Sequence, residues 1–342
     1  MYIGVSLLLL AAVLVSIVVA VAFGTTSIMT ADVYGVIAYK LFKWQEFAQY
    51  SEGAIHDIIW LIRLPRVVLA VAVGAGLAVC GAVMQAVVKN PMAGPYTLGI
   101  SSGASLGATM AILLGVGVSW GANYVGAVAF IGAFGAALLV MFIAELGSRA
   151  NTVKLLLAGI AISSVFSAFS SFIVYLANDK EGIQSITYWL MGSLAGATWE
   201  TMGAIYIVVF GGSLFFMTQY RTLNMMLLGD EISITLGTNL HVYRRIYMLV
   251  SAMMIGFVVF SSGIIGFVGL IVPHFVRIFF GSDHRKVLPV AMLVGSLFMI
   301  WADVASRVVI PHVELPIGIL VSMIGAPTFI YLLLKKTYGF GG

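Results

Sequence analysis

Charge is scarce in this sequence. Only 9% of its 342 residues are Asp, Glu, Lys or Arg, and 61% are hydrophobic. A soluble domain of ordinary composition carries about 25% charged residues. A soluble helical fold would need polar groups to cover its surface, and here there are too few. Cysteine is nearly absent: Cys80 stands alone inside an apolar block, which excludes a disulfide framework and a thiolate metal site. The five histidines, His56, His241, His274, His284 and His312, are scattered, and no pair has the spacing of two ligands on one helix face. His274, which follows Pro273, reads as a structural hydrogen-bonding residue. The sequence holds no Gly-x-x-x-x-Gly-Lys, His-Glu-x-x-His or Gly-x-Ser-x-Gly motif. This chain therefore does not itself bind ATP in the usual way, and neither zinc-hydrolase nor serine-hydrolase chemistry is indicated. The net charge of +4 is not gathered into a basic face with interleaved aromatics, so nucleic acid is no partner.

What the sequence does have is a rhythm of long apolar blocks separated by short polar islands. A bilayer core of roughly 30 Å needs about 20 apolar residues per helix. Ten blocks fit that length or nearly so: 3–23, 64–87, 95–116, 120–144, 153–176, 199–218, 243–260, 265–280, 287–307 and 316–334. The expected fold class is an all-α polytopic membrane protein, one transmembrane domain over 1–342. It has a polar external stretch at 24–62 and a longer polar island at 219–242. Ile3–Phe23 lacks a basic leader and reads as a retained first helix rather than a secretory signal.

Charge sidedness tests the count. With ten spans both ends lie on one side. The islands there hold eleven of the 17 basic residues, among them Lys89, Arg149, Lys154, Arg221, Arg244 and Arg245, and only four of the 13 acids. The positive-inside rule then puts both termini in the cytoplasm. Three arginines run against the trend: Arg63, Arg66 and Arg307, each at the external edge of a span. Snorkelling to lipid phosphates, with an i,i+4 pair from Asp303 to Arg307, accounts for them without a function.

Small residues point to close helix packing. Gly99, Gly103 and Gly107 recur every fourth position, a spacing that lets backbones approach in lipid. Gly159, Ser163, Ser167 and Ser170 give the fifth span a small, weakly polar face. Tight packing with hydroxyls bonded back to the backbone explains that face equally well. In the 219–242 island, Gly229-Asp230-Glu231-Ile232-Ser233-Ile234-Thr235-Leu236-Gly237 reads as a short helix. Its acids sit at the start, where the dipole favours them, and Gly237 is the stop. Ile232, Leu236 and Leu240 form an apolar stripe, and a helix lying on the bilayer would show the same pattern.

Lys89-Asn90-Pro91-Met92-Ala93-Gly94-Pro95 followed by Leu98-Gly99-Ile100-Ser101-Ser102-Gly103 is a tight turn entering a close-packed helix. This run resembles the FecCD-type permeases of ABC transporters, the membrane subunits of importers for iron–siderophore, haem and cobalamin. The likeness continues through Arg63-Leu64-Pro65-Arg66, Leu155-Leu156-Leu157-Ala158-Gly159, Gly266-Phe267-Val268-Gly269-Leu270-Ile271-Val272-Pro273-His274, Glu314-Leu315-Pro316-Ile317-Gly318 and Gly325-Ala326-Pro327. It spans roughly residues 60–335.

The resemblance implies a type II ABC importer permease fold of ten helices, working as a dimer with an identical or related permease. Two cytoplasmic ATPase subunits would hold the ATP and Mg, with no cofactor in this chain. An extracytoplasmic binding protein would deliver the cargo, expected to be a ferric siderophore, with haem or cobalamin as alternatives. The resemblance further implies that Arg63, Arg66 and Arg307 receive acidic residues of the binding protein. It implies that Gly229, Asp230, Glu231, Ile232, Leu236 and Gly237 seat in the ATPase as a coupling helix. The fifth span with Ser163, Ser167 and Ser170 would line the path, narrowed by Asn90, Met92, Asn151 and Thr152. The expected location is the bacterial cytoplasmic (inner) membrane. An ion-coupled secondary transporter would place acids or histidines within the spans, and mid-membrane charge is almost absent here. An intramembrane enzyme would need a nucleophile–base or metal constellation, and none is visible.

Overall fold

The structure, a computed structural model, describes residues 2–96, 98–146, 152–235, 237–311 and 313–334, without the side chains of Asp230, Glu231, Ile234 and Leu333. Among the described residues it is all helical. The helices are α1 (Tyr2–Ala20), α2 (Thr30–Phe42), α3 (Ala54–His56), α4 (Leu64–Val87), α5 (Ile100–Leu114), α6 (Tyr124–Glu145), α7 (Thr152–Ala177) and α8 (Lys180–Leu190). They continue with α9 (Trp199–Thr218), α10 (Tyr220–Leu228), α11 (Asp230–Thr235), α12 (Leu240–Ser262), α13 (Val268–Phe280), α14 (His284–Val308) and α15 (Ile317–Leu334). A π-helical stretch, Asp57–Arg63, joins α3 to α4 without a break.

Seven helices are long and apolar enough to cross a membrane, and α5, α13 and α15 are shorter apolar helices. These ten correspond one for one to the expected blocks. The short helices have identifiable causes. Gly99 and Gly115, both in the left-handed region, close α5 at its two ends. The 263–267 break, with Phe267 at a φ of 63°, uses residues that would otherwise extend α13. A non-glycine residue there costs about 1–2 kcal/mol. Its ring packs on Gly325 of α15, where a Cβ would collide with it.

The core centres on α4, of whose residues nearly all are buried. Its sequence is built from Ala, Val and Gly, and small side chains let neighbours come close in a medium where lipid is as apolar as leucine. A Cβ on Gly81 would overlap the Gly269 carbonyl of α13, and one on Gly74 the Gly295 carbonyl of α14. The Gly103 and Gly107 pattern is used in the same way against Gly132 and Val128 of α6. By contrast, α1 and α7 bury only a few residues each.

Two ends of the bundle can be told apart by contacts. The start of α4 and the ends of α1 and α14 meet at one end, here the arginine side. The end of α4, α10 and the start of α14 meet at the other, here the α10 side.

Candidate functional site

On the arginine side Arg63, Arg66 and Arg307 come together and are buried, at 4%, 3% and 4% exposure. Asp303, fully buried on α14, binds two of them: Arg66 Nε donates to its Oδ1 at 2.6 Å, and Arg307 Nη2 lies 2.9 Å from its Oδ2. Arg66 Nη1 reaches Glu314 at 2.7 Å, in the segment that leads into α15. Arg63 donates to the carbonyls of Val21, Ala22 and Thr26, and Arg307 to that of Phe23 at 2.8 Å. These carbonyls lie just past the end of α1, where backbone acceptors have no helical partner and the dipole favours cations. Five charged side chains thus tie α1, α4, α14 and the approach to α15 into one knot. All three guanidiniums are buried within this chain.

The α10 side holds the α10–α11 corner. Gly229 breaks the chain between the two helices. Ser233, buried, donates to the Gly229 carbonyl at 2.8 Å and the Met225 carbonyl at 3.1 Å. Gly237 follows α11 with φ at 79°, as its role as a stop requires. Lys89 Nζ donates to the Leu228 carbonyl at 3.2 Å, so the turn after α4 caps α10. Asn224 of α10 donates to Asp283 at 2.8 Å and accepts from the His284 backbone N–H at 2.8 Å. Asp283 is also the N-cap of α14, accepting from the Arg285 N–H at 3.0 Å. Partial burial works to raise the Asp283 carboxyl. The hydrogen bonds from Asn224 and the Arg285 N–H outweigh it and hold the group below the usual carboxylate range. Nearby, Arg277 of α13 donates to Gln85 of α4, whose amide donates to the Leu270 carbonyl at 3.3 Å.

The expected apolar stripe divides here. Ile232 is exposed, whereas Leu240 opens α12 and is buried. Leu236 lies outside the described residues, as do the side chains of Asp230 and Glu231.

In the 90–92 turn the Asn90 carboxamide accepts from the Met92 N–H at 2.8 Å, and Met92 is exposed. Thr152 opens α7; Asn151 lies outside the described residues. Along α7, Ser163 is half-buried against Gly99, Ser170 is half-buried, and Ser164, Ser167 and Ser171 are exposed. The Ser164 hydroxyl donates back to the Ile160 carbonyl at 3.0 Å, the local bonding expected for serine in a helix. At the arginine side the non-helical 263–267 stretch borders a groove of about 610 Å³ lined by Leu190, Met191, Ile264, Gly266, Gly318, Ile319, Ser322 and Met323. Non-helical backbone at membrane depth is tolerated where it is covered by protein or lines water.

The model of the FecCD transport family matches residues 7–335. The chain belongs to the FecCD transport family. Among curated FecCD-type relatives, the cobalamin import system permease protein BtuC of Halobacterium salinarum is 43% identical over 279 residues, covering 82% of this chain and 74% of that protein. The hemin transport system permease protein HmuU of Yersinia pestis is 39% identical over 283 residues, covering 81% and 84%. A solved structure described as an inward-facing conformation of a metal-chelate type ABC transporter aligns with a TM-score of 0.80 at 29% identity, covering 98% of this chain and all of that one. PsaBC from Streptococcus pneumoniae, at 17% identity and a TM-score of 0.54, shares the fold. The chain is an ABC importer permease, a class of subunit that is not itself an enzyme.

Within this FecCD permease, sequence reasoning found the three arginines and the 229–237 corner. It read the Asp303–Arg307 pair correctly and missed that Arg66 shares the same carboxylate. It also missed Lys89, Asn224 and Asp283. Asp283 carried a signal, an Asp followed by His-Arg-Lys at the start of an apolar block, which is an N-cap pattern. Asn224 carried none, because its partner is distant in sequence.

Proposed function

We propose that this permease subunit forms half of a two-subunit pore in the cytoplasmic membrane, its partner a second copy or a related permease. Two cytoplasmic ABC ATPases, holding ATP and Mg, drive it through the α10–α11 corner, and an extracytoplasmic binding protein loads it on the arginine side. Both termini then lie in the cytoplasm, in keeping with the basic residues on the α10 side. The cargo is a bulky metal chelate. The observation that carries this reading is the family match over nearly the whole chain, with relatives named for cobalamin and hemin transport. A ferric siderophore is the cargo expected from the sequence. Cobalamin is the second reading, favoured by the 43% identity to the Halobacterium protein.

The geometry supports a passive wall. Among the described residues there is no cluster of three or more His, Cys, Asp or Glu that could hold a metal ion. The exposed face of α7 with Ser164, Ser167 and Ser171, and the groove beside Ile264 and Gly318, are shallow and weakly polar. Such surfaces suit a large cargo that must leave as readily as it enters. The Asn90–Met92 turn and Thr152, with Asn151, form the narrowing on the α10 side. Arg63, Arg66 and Arg307 brace the docking end from beneath, and Glu314 is the partly exposed member at its rim.

Uptake of labelled ferric siderophores, hemin and cobalamin by a strain lacking this gene tests the reading. One chelate class should be lost and restored with the gene. Unchanged uptake of every chelate would contradict it.

A further inference from the structure

The stretch between α1 and α4 reads as a polar external loop, but its structure is that of an amphipathic hairpin with an apolar tip. The inner face of α2 is buried through Val33, Gly35 and Val36. Tyr50 returns against it, donating to Asp32 at 2.7 Å, with its ring filling the space over Gly35. The turn between α2 and the following Gln45–Tyr50 3-10 segment points the other way. Leu41, Phe42 and Trp44 are 61%, 61% and 54% exposed. Phe42 stacks on Trp44 at 5.0 Å, and Lys43 adopts a φ of 56° between them. Lys40 and Lys43 flank the tip, each over an aromatic ring: Lys40 Nζ lies 6.0 Å from the Trp60 centroid and Lys43 Nζ 5.3 Å from Tyr39.

That contact fixes the height of the tip. Trp60 lies in the π-helical entry to the α4 span, beside exposed Leu61 and Ile62, and pairs with Trp199 at the first residue of α9, 5.4 Å away. The tip is therefore continuous with the rim where two spans emerge. All six tryptophans of the chain lie on this side. Trp301 packs on Phe23, the Trp189 carbonyl on Gly263, and Trp120 just precedes α6, whose Gly126 meets Phe260 near the end of α12. Tryptophan concentrates where hydrocarbon meets headgroups, and lysine stems there lie on apolar surface with their ammonium at the phosphates.

We propose that the 41–44 tip inserts into the headgroup–acyl boundary of the leaflet on the arginine side, with Lys40 and Lys43 at the lipid phosphates. The hairpin then reclines on the membrane as an anchor rather than standing free. The proposal requires only that the helices span a bilayer, so it stands or falls apart from the transport reading.

Cys80 is fully buried, so a single added cysteine takes a nitroxide label without background. Leu41→Cys, Phe42→Cys and Trp44→Cys are labelled in the full-length chain, with Gln49→Cys and Glu52→Cys as exposed controls, and placed in phosphatidylcholine–phosphatidylglycerol vesicles. The labels at 41, 42 and 44 should collide with dissolved oxygen several-fold more, relative to a water-soluble nickel chelate, than the two controls do. Ratios at the tip equal to the controls would overturn the proposal. So would labels that become shielded only when an extracytoplasmic binding protein is added, because the tip would then be a protein-docking surface.

Discussion

A guanidinium at the end of a membrane span can reach outward to lipid phosphate or inward to a carboxylate. In this chain Arg66 and Arg307 turn inward onto Asp303, and Arg63 turns inward onto the backbone past α1. Removing one member of a buried pair leaves the other charged and unpaired, at a cost of about 3–5 kcal/mol. Asp303→Asn should therefore lower the thermal stability of the purified subunit with no partner present. A role confined to docking would leave that stability unchanged and weaken only binding-protein affinity. Reciprocal charge swaps separate the two: Arg63→Glu should not be rescued by a Glu→Arg change on the binding protein if its work is to cap α1. At the other end, Asp283 predicts a pH effect. Its folded carboxyl lies below the ordinary range of about 3.9, so the stability it contributes is complete above that range. It is lost as pH falls through the folded value. Asp283→Asn should flatten this part of a melting-temperature profile taken between about pH 5 and pH 3, and an unchanged profile would place the acid sensitivity elsewhere.

At the scale of helices, α4 and α11 make opposite demands. The α4 helix needs close approach. Gly81→Val would force it away from Gly269, and overpacking of this kind costs about 1–3 kcal/mol. Gly203→Ala on α9, with nothing near its would-be Cβ, should be neutral or slightly stabilising by helix propensity. A melting comparison of the two variants checks the claim, and equal effects would refute it. The coupling role proposed for α11 requires an exposed surface and a fixed angle. Gly237→Val strains a left-handed position, and Ile232→Asp charges an exposed apolar residue. Both should lower transport per ATP hydrolysed more than they lower stability. The ten apolar blocks were legible because helix length in a bilayer follows from thickness. Which blocks sit at the centre was not, since lipid-facing and protein-facing residues are equally apolar; only the Ala, Val and Gly content of α4 hinted at it. The α2 and α8 helices escaped because, at 13 and 11 residues, they are too short to stand out as spans. The stripe of Ile232 and Leu240 was misread as one surface because the chain turns at Gly237 between them. The arginines were found as exceptions to a charge rule, but the direction they face depends on Asp303 and Glu314, more than 200 residues distant from Arg66.

Among the described residues, charged side chains gather toward both ends of the molecule and the middle is apolar. The arginine side carries every tryptophan, and the α10 side carries the Lys89, Asn224 and Asp283 contacts that hold α10. Helix α14 runs from Asp283 at its cap to Asp303 and Arg307 near its far end, so a displacement of α10 has a continuous helix along which to reach the opposite side. Among the described residues the charged side chains of the spans lie toward the two ends. The most direct measurement is uptake into liposomes holding this subunit, its ATPase subunits and the binding protein loaded with labelled chelate. Accumulation should require ATP inside the vesicles and stop when the ATPase subunit is omitted or cannot hydrolyse nucleotide. Accumulation driven by an imposed proton or sodium gradient without ATP would contradict the account.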